Sequence, residues 1–432
     1  MSGERVRPMR GPLQGALRVP GDKSISHRAL LFGALADGET RIEGLLNAGD
    51  CLATQGCLRA LGVGIERMEE GGVTVQGRGL RGGLQASTGP IDCIRSGTAM
   101  RLLAGILCGQ KFPSTLTGDA QLLRRPMRRV VDPLCQMGAQ IEDEEGHAPL
   151  RIVGRTLHGA VHHLAVASAQ VKSAILLAGL LARGTTTVHQ PGPARDHTER
   201  MLARMGVEIE FDALSATITP PEQLDPLRID IPGDFSSAAF PLVAALLVPN
   251  SVITLVHVGT NDTRTGLLDV LHEMGARIER MNDRIEAGEP VSDLMVRSSE
   301  LVGVNIGGDA VVRMIDEFPI LAVAATQARG ATVVQDAKEL RVKESDRIDA
   351  IVAELRLLGA DIEGRPDGFI VRGPTPLHGG VADSHGDHRL AMALTVAGLI
   401  ADREVVVRGA PCSSDSYPGF REQLSSLGVQ DD

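Results

Sequence analysis

A short segment recurs six times along this chain, and the recurrence limits what the chain can fold into. The segment reads apolar–x–x–(apolar or Ser)–Gly–(Val or Ala), usually followed by x–Ile–Glu. It occurs at residues 58–66 (LRALGVGIE), 134–142 (LCQMGAQIE), 202–210 (LARMGVEIE), 271–279 (LHEMGARIE), 355–363 (LRLLGADIE) and 424–429 (LSSLGV). The central glycines, Gly62, Gly138, Gly206, Gly275, Gly359 and Gly428, are spaced 76, 68, 69, 84 and 69 residues apart. Each copy predicts a helix that ends at a glycine cap and turns into a strand. Solenoid repeats are usually about 20–50 residues long, so this period argues against a continuous solenoid.

A second pattern interleaves with the first. A polar cluster precedes a smooth apolar helix, then a small-residue turn, then a β-branched strand. The copies start at Gly21 (GDKSISHRALLFGALADGETRI), Arg95 (RSGTAMRLLAGIL), Ser168 (SAQVKSAILLAGLLARGTTTV), Gly233 (GDFSSAAFPLVAALLVPNSVITL), Asp316 (DEFPILAVAATQARGATVV) and Gly386 (GDHRLAMALTVAGLIADREVVV). Helices that are apolar all round belong in a core rather than on a surface. Six such units make an α/β (α+β) protein. They divide as three and three, which predicts two pseudo-threefold domains with a boundary near residues 232–233.

The chemistry concentrates where these six helices begin. The first turn of a helix leaves backbone N–H groups unpaired, and the macrodipole adds partial positive charge there. Such an end is an anion site. Ser24, Ser96, Gly97, Thr98, Ser168 and Ser236 offer room or hydroxyl donors, and Arg28, Arg101 and Lys172 follow one turn later. Any single cluster reads equally well as helix capping, since Ser, Thr and Asp are good caps; six together favour anion pockets. Three more stretches add charge: RRPMRR at 124–129, KESDR at 343–347 and GDHR at 386–389. The spacing of KESDR predicts that Lys343, Glu344 and Arg347 share one face of a helix start. Converging arginines suit carboxylate and phosphate, which a guanidinium binds in bidentate fashion.

Composition removes several function classes. The 432 residues carry a net charge of −10 and no long basic run, unlike a nucleic-acid binder. There is no Trp and one Tyr, which disfavours stacked-base recognition. The apolar stretches stop short of a membrane span, and the N-terminus lacks the apolar run of a secretory signal. Six cysteines show no CxxC pair and no zinc spacing, which predicts free thiols and a reducing, cytoplasmic setting. GRGLRG at 77–82 matches GxGxxG literally but lacks the flanking strand and helix. No phosphate-loop, HExxH, GxSxG or EF-hand pattern is present.

Seven stretches taken together resemble the enolpyruvylshikimate-phosphate synthase family. They are LRVPGDKSISHR (17–28), SGTAMR (96–101), SAQ (168–170), RDHTE (195–199), DEFP (316–319), RVKESDR (341–347) and DHRLAM (387–392). They keep the family's order and span nearly the whole chain. The resemblance implies two similar domains, an inside-out α/β barrel of six βαβαββ-type repeats with three per domain about a pseudo-threefold axis. Residues 18–232 would form the first domain, and 1–17 with 233–432 the second, with substrates in the cleft between them. It implies a reaction without metal or cofactor, in which the enolpyruvyl group of phosphoenolpyruvate passes to the 5-hydroxyl of shikimate 3-phosphate. A monomer is expected, with no nucleic-acid or membrane partner.

Residue roles follow from the same resemblance. Lys23, Gly97, Arg125, Gln170, Arg347 and Arg389 match the positions that meet phosphoenolpyruvate. Lys23, Ser24, Arg28, Ser168, Ala169, Gln170, Arg195, Asp316 and Lys343 match those that meet shikimate 3-phosphate. Asp316 matches the carboxylate beside the attacking hydroxyl, Glu344 the acid–base group near the methylene, and Lys23 a third proton-transfer group. Three positions depart from the family pattern. Arg95 replaces a small polar residue, Ala194 replaces a Ser before RDHTE, and Asp415 stands where one subclass has a Lys. The sister transferase acting on UDP-N-acetylglucosamine typically has a Cys on the loop before an Arg-Pro, and TGDAQLLRRP at 117–126 has none. An RNA-end-processing protein on the same repeats would need a nucleotide site and a nucleophilic His. A non-catalytic scaffold would leave the charged helix starts unexplained.

Overall fold

The computed structural model of the chain describes residues 3–69 and 71–429. All six glycines of the first repeat take positive φ, from 82° at Gly62 to 109° at Gly428. In each copy the residue after the glycine donates its N–H to the carbonyl of the leucine that opens the motif. These bonds are Val63 to Leu58 (3.0 Å), Ala139 to Leu134 (3.1 Å), Val207 to Leu202 (3.1 Å), Ala276 to Leu271 (2.9 Å), Ala360 to Leu355 (2.9 Å) and Val429 to Leu424 (3.3 Å). This six-to-one bond is the Schellman closure, which needs a left-handed residue and favours an apolar contact across it. The motif therefore specifies a helix stop, and strands such as Gly64–Arg67, Gln140–Glu144 and Asp361–Arg365 start beyond it.

The second repeat forms six helices: Lys23–Leu35, Gly97–Cys108, Ala169–Gly179, Phe235–Leu247, Phe318–Gln327 and His388–Leu399. Nearly every side chain on them is buried, as expected of helices without a polar face. Small residues bring them close. A Cβ on Gly105 would lie 2.2 Å from the carbonyl oxygen of Ala174, so only glycine permits that helix approach.

The chain divides into two compact units. One gathers the N-terminal segment through Pro20, Pro232–Arg284 and the chain from Pro290 onward; the other holds Gly21–Ile231 and Ile285–Glu289. Each has its own apolar core. The described strands form six small mixed sheets, three in each unit. In the middle sheet of the Gly21–Ile231 unit, Ile91–Asp92 leads into helix Gly97–Cys108 and then pairs parallel with Pro113–Thr117, which pairs antiparallel with His147–Val153. Most of the other sheets repeat this order of one parallel and two antiparallel pairings.

Two lead strands are exchanged. Gln14–Leu17, just before helix Lys23–Leu35, pairs parallel with Val252–Gly259. Arg228–Asp230, just before helix Phe235–Leu247, pairs parallel with Glu39–Glu43. The exchange assigns the N-terminal strands to the unit holding the C-terminal half. There Gly3–Val6 also closes the last sheet, antiparallel to Val405–Arg408. Among the described residues, no helix is long and apolar enough to cross a membrane.

Candidate functional site

In the Gly21–Ile231 unit, three helix starts carry the predicted residues. Asp22, Ser96 and Ser168 each accept a hydrogen bond from the backbone N–H three residues on, from Ile25, Ala99 and Val171. Capping and a charged helix start therefore coexist, and the Ser96 and Ser168 hydroxyl oxygens are used as caps. Lys23 pairs with Asp50 at 3.3 Å. Ser24 takes a bond on its hydroxyl from Arg195 (3.2 Å) and one on its carbonyl from Arg28 (2.9 Å). The structure thus brings Ser24, Arg28 and Arg195 together, although Arg195 lies 171 residues along the chain.

Arg28 is buried and reaches two more oxygens, Thr198 Oγ1 and Ser173 Oγ, both at 2.7 Å. Burial pushes its pKa down to about 10, while Glu199 and Asp22 favour its charge. Two of its five donors make no bond among the described residues and are available to an anion. Beside it, Lys172 and Glu199 form an ion pair at 2.6 Å, each 1% exposed. Gln170 accepts from Arg101 and donates to Thr98 Oγ1 at 2.9 Å. A Cβ on Gly97 would meet guanidinium nitrogens of Arg101 at 3.1 Å and Arg125 at 3.2 Å, so both arginines flank that helix start. Ala169 opens the helix after the Ser168 cap and offers backbone alone.

In the other unit the focus is Arg347, buried and held by three carboxylates. Its Nε donates to Asp387 Oδ2 at 2.8 Å, one terminal nitrogen to Glu344 Oε2 at 2.9 Å, and the other to Asp316 Oδ1 at 3.3 Å. Arg389 lies 3.7 Å from Asp316 Oδ2. Burial opposes the charge on Arg347, but Asp387, Glu344 and Asp316 outweigh it and raise its pKa above the usual arginine range. Burial would raise the Asp387 carboxyl, yet Arg347 and His388 hold it below the usual range. Lys343 belongs to the same group: burial lowers its pKa, opposed by Asp316. Asp316, Lys343, Glu344, Arg347 and Arg389 therefore form one cluster.

The helix expected at KESDR begins later than the spacing predicts. Lys338–Val342 is a 3₁₀ turn, Lys343 is extended, and the α-helix runs Arg347–Leu357 behind an Asp346 cap. Lys343 and Glu344 thus sit on the incoming turn, because Asp346 caps the helix and its oxygen accepts from Asp349 N–H. Arg341 secures that turn, donating to Asp346 (2.7 Å), Asp349 (3.0 Å) and the carbonyls of Pro366 and Arg365 (2.7 Å each).

Several residues here were not singled out from the sequence. Asp50 follows a helix start with no motif around it. Arg264 bonds Asp234 at 2.8 Å and Ser236 at 2.9 Å from an unremarkable TNDTR loop. Glu199 and Glu317 lie inside motifs, but their pairing with Lys172 and Ser236 needs tertiary structure. Of the three departures, Arg95 pairs with Asp119 at 3.0 Å. Ala194 offers its carbonyl to Lys172 at 3.4 Å, and Asp415 ends a 3₁₀ segment, Ala410–Asp415.

Helix starts rich in cations and paired carboxylates define a class: an α/β protein fitted to small, multiply charged anions. The family model described as EPSP synthase (3-phosphoshikimate 1-carboxyvinyltransferase) matches residues 8–424. A relative from Alkalilimnicola ehrlichii, named 3-phosphoshikimate 1-carboxyvinyltransferase, is 53% identical over 98% of this chain and 95% of its own. One of the same name from Syntrophotalea carbinolica is 48% identical over 99% of each. The solved EPSP synthase from Acinetobacter baumannii superposes with a TM-score of 0.90 at 42% identity, covering 99% of this chain and 98% of that one. The chain belongs to the EPSP synthase family.

Proposed function

We propose that the chain transfers the 1-carboxyvinyl (enolpyruvyl) group of phosphoenolpyruvate to the 5-hydroxyl of shikimate 3-phosphate and releases phosphate. It is a transferase of the shikimate pathway, serving aromatic amino-acid biosynthesis. The match to named relatives over nearly its full length supports this reading and disfavours UDP-N-acetylglucosamine as acceptor.

The site observation that carries the reading is the cluster of Asp316, Glu344, Arg347 and Arg389. In the reading, Asp316 accepts the proton of the attacking hydroxyl. Glu344 and Lys23 are the groups for the proton that enters the phosphoenolpyruvate methylene. Protonation builds positive charge at the enol carbon, and the hydroxyl oxygen bonds to it, giving a tetrahedral intermediate. That intermediate then loses a proton from its methyl and breaks the carbon–oxygen bond to phosphate, which restores the vinyl group. Arg125, Arg347 and Arg389, with Gln170 and the backbone at Gly97, hold phosphoenolpyruvate and its departing phosphate, a positioning and electrostatic task. Ser24, Arg28, Ser168, Ala169, Gln170, Arg195 and Lys343 hold shikimate 3-phosphate.

In this reading no metal or cofactor takes part. The finer architecture is three βαβαββ repeats per domain, supported by the recurring order of sheet pairing. A cytoplasmic monomer without nucleic-acid or membrane partners completes it. The test is phosphate release from the two substrates, with UDP-N-acetylglucosamine as alternative acceptor. Glu344→Gln and Asp316→Ala should each lower turnover by about 10²–10⁴. Near-parental turnover in a folded variant removes that residue from the mechanism.

A further inference from the structure

We infer that Glu317 is a positioning residue for this transfer: its buried carboxylate, fixed by Ser236 and faced by Arg264, supplies the negative charge that offsets the cations crowding Asp316 and Arg389. The inference rests on the reading that Asp316 takes the hydroxyl proton.

The problem it answers is electrostatic. Arg347 lies 3.3 Å from Asp316, Arg389 lies 3.7 Å away, and Lys343 faces the same carboxylate. Nearby cations make a carboxylate a poorer proton acceptor. Glu344 and Asp387 neutralise Arg347 from other sides, at 2.9 and 2.8 Å. Arg389 has no comparable close partner among the ion pairs of the described residues besides Asp316 itself.

Glu317 fills that role. It is 2% exposed, adjoins Asp316 in the chain, and sits where helix Phe318–Gln327 begins. The Ser236 hydroxyl donates to its Oε1, and Arg264 donates to the same hydroxyl at 2.9 Å and to Asp234 at 2.8 Å. The groups facing it are Arg264, Arg389, Asp316 and Ser236. Burial, the largest influence, together with Asp316 outweighs Arg264, Arg389 and the Ser236 hydroxyl, so its pKa is raised above the ordinary glutamate value, and those three groups are what keep the charge within reach. A buried carboxylate next to a second one is costly unless cations hold it, and here one of those cations is a proposed substrate ligand. Held by Ser236, the Glu317 charge partly offsets that of Arg389 and keeps Asp316 basic by like-charge repulsion.

The experiment is the pH dependence of kcat, with KM for phosphoenolpyruvate, for the parent, Glu317→Gln, Glu317→Asp and Ser236→Ala, each checked by thermal unfolding. Removing the charge with Glu317→Gln should move the acidic limb of kcat down by about one pH unit. It should also lower plateau kcat by about three- to tenfold and lower KM. Glu317→Asp, which keeps the charge, should restore the limb towards the parental position. Ser236→Ala makes Glu317 easier to protonate, so it should shift the limb in the same direction by less; this variant carries the test if Glu317→Gln does not fold. A folded Glu317→Gln enzyme with parental limb, kcat and KM overturns the inference, as does an unmoved limb in Ser236→Ala. An inactive parent enzyme would instead overturn the reading of the reaction.

Discussion

Lys172 and Glu199 are 2.6 Å apart and 1% exposed, in the first turns of helices Ala169–Gly179 and His197–Arg204. Removing one partner leaves a charge in the core with its counter-ion gone, which costs about 3–5 kcal/mol; replacing both with apolar groups of similar volume is often neutral or better. Glu199→Leu or Lys172→Met alone should therefore destabilise the Gly21–Ile231 unit by about 3–5 kcal/mol. For a unit of roughly 200 residues, at 2–4 °C per kcal/mol, its transition should fall by roughly 6–20 °C. The double variant should return to within about 1 kcal/mol of the parent. The chain has no Trp, and its one Tyr, Tyr417, lies in the other unit, so circular dichroism and calorimetry are the suitable probes. Two units need not unfold as one transition, so the component that moves must be resolved. Single variants each within about 1 kcal/mol of the parent, or a double variant as damaged as the sum of its singles, would refute the reasoning. Thr198, which holds Arg28, adjoins Glu199, so a confirmed loss should also weaken shikimate 3-phosphate binding.

Burial pushes His27 down to about pKa 3, and its Nδ1 pairs with Thr54 Oγ1 at 2.7 Å. Its folded pKa lies below the unfolded 6.5. Stability should therefore be full above 6.5 and fall by about 1.4 kcal/mol per unit as pH drops towards 3; His27→Gln should flatten that part of the denaturant-midpoint profile, and an unchanged slope counts against it. Gly97→Ala would place a methyl 3.1 and 3.2 Å from the Arg101 and Arg125 guanidiniums. KM for phosphoenolpyruvate should rise several-fold while the unfolding temperature barely moves, and an unaltered KM would show that the arginines yield freely.

The helix stops were legible because one residue carries them: a left-handed position followed by an apolar contact selects Gly and then Val or Ala, and Leu58, Leu134 and Leu355 accept the closing bonds. The buried helices were legible because an element without a polar face has one place to go. Pairings across the chain were not. Arg195 meets Ser24 at a separation of 171 residues, and Arg264 reaches Asp234 and Ser236 from a loop with no motif. Local spacing also misplaced the start of the Arg347 helix. It counted residues along a face without weighing Asp346 as the stronger cap.

The two clusters differ in charge, and the difference assigns them different work. In the Gly21–Ile231 unit, Lys23, Arg28, Arg101, Arg125 and Arg195 stand against Asp22, Asp50 and Glu289, with Lys172 and Glu199 cancelling each other. Cations in excess attract a dianionic phosphate before chemistry begins. In the other unit, Lys343, Arg347, Arg389 and Arg264 meet Asp316, Glu344, Asp387, Glu317 and Asp234, so carboxylates at least match cations without substrate and the group is suited to passing protons. Shikimate 3-phosphate alone should then bind chiefly through the first set, with an affinity that falls as salt rises, since partly exposed charges are screened within about 8 Å at physiological ionic strength. By calorimetric titration, Arg195→Gln should weaken that binding at least tenfold, the loss of one charge-assisted contact of about 1.5–3 kcal/mol. Glu344→Gln should leave it within about twofold while abolishing most turnover. Equal losses of binding in both variants would mean that the excess charge does not divide the labour in this way.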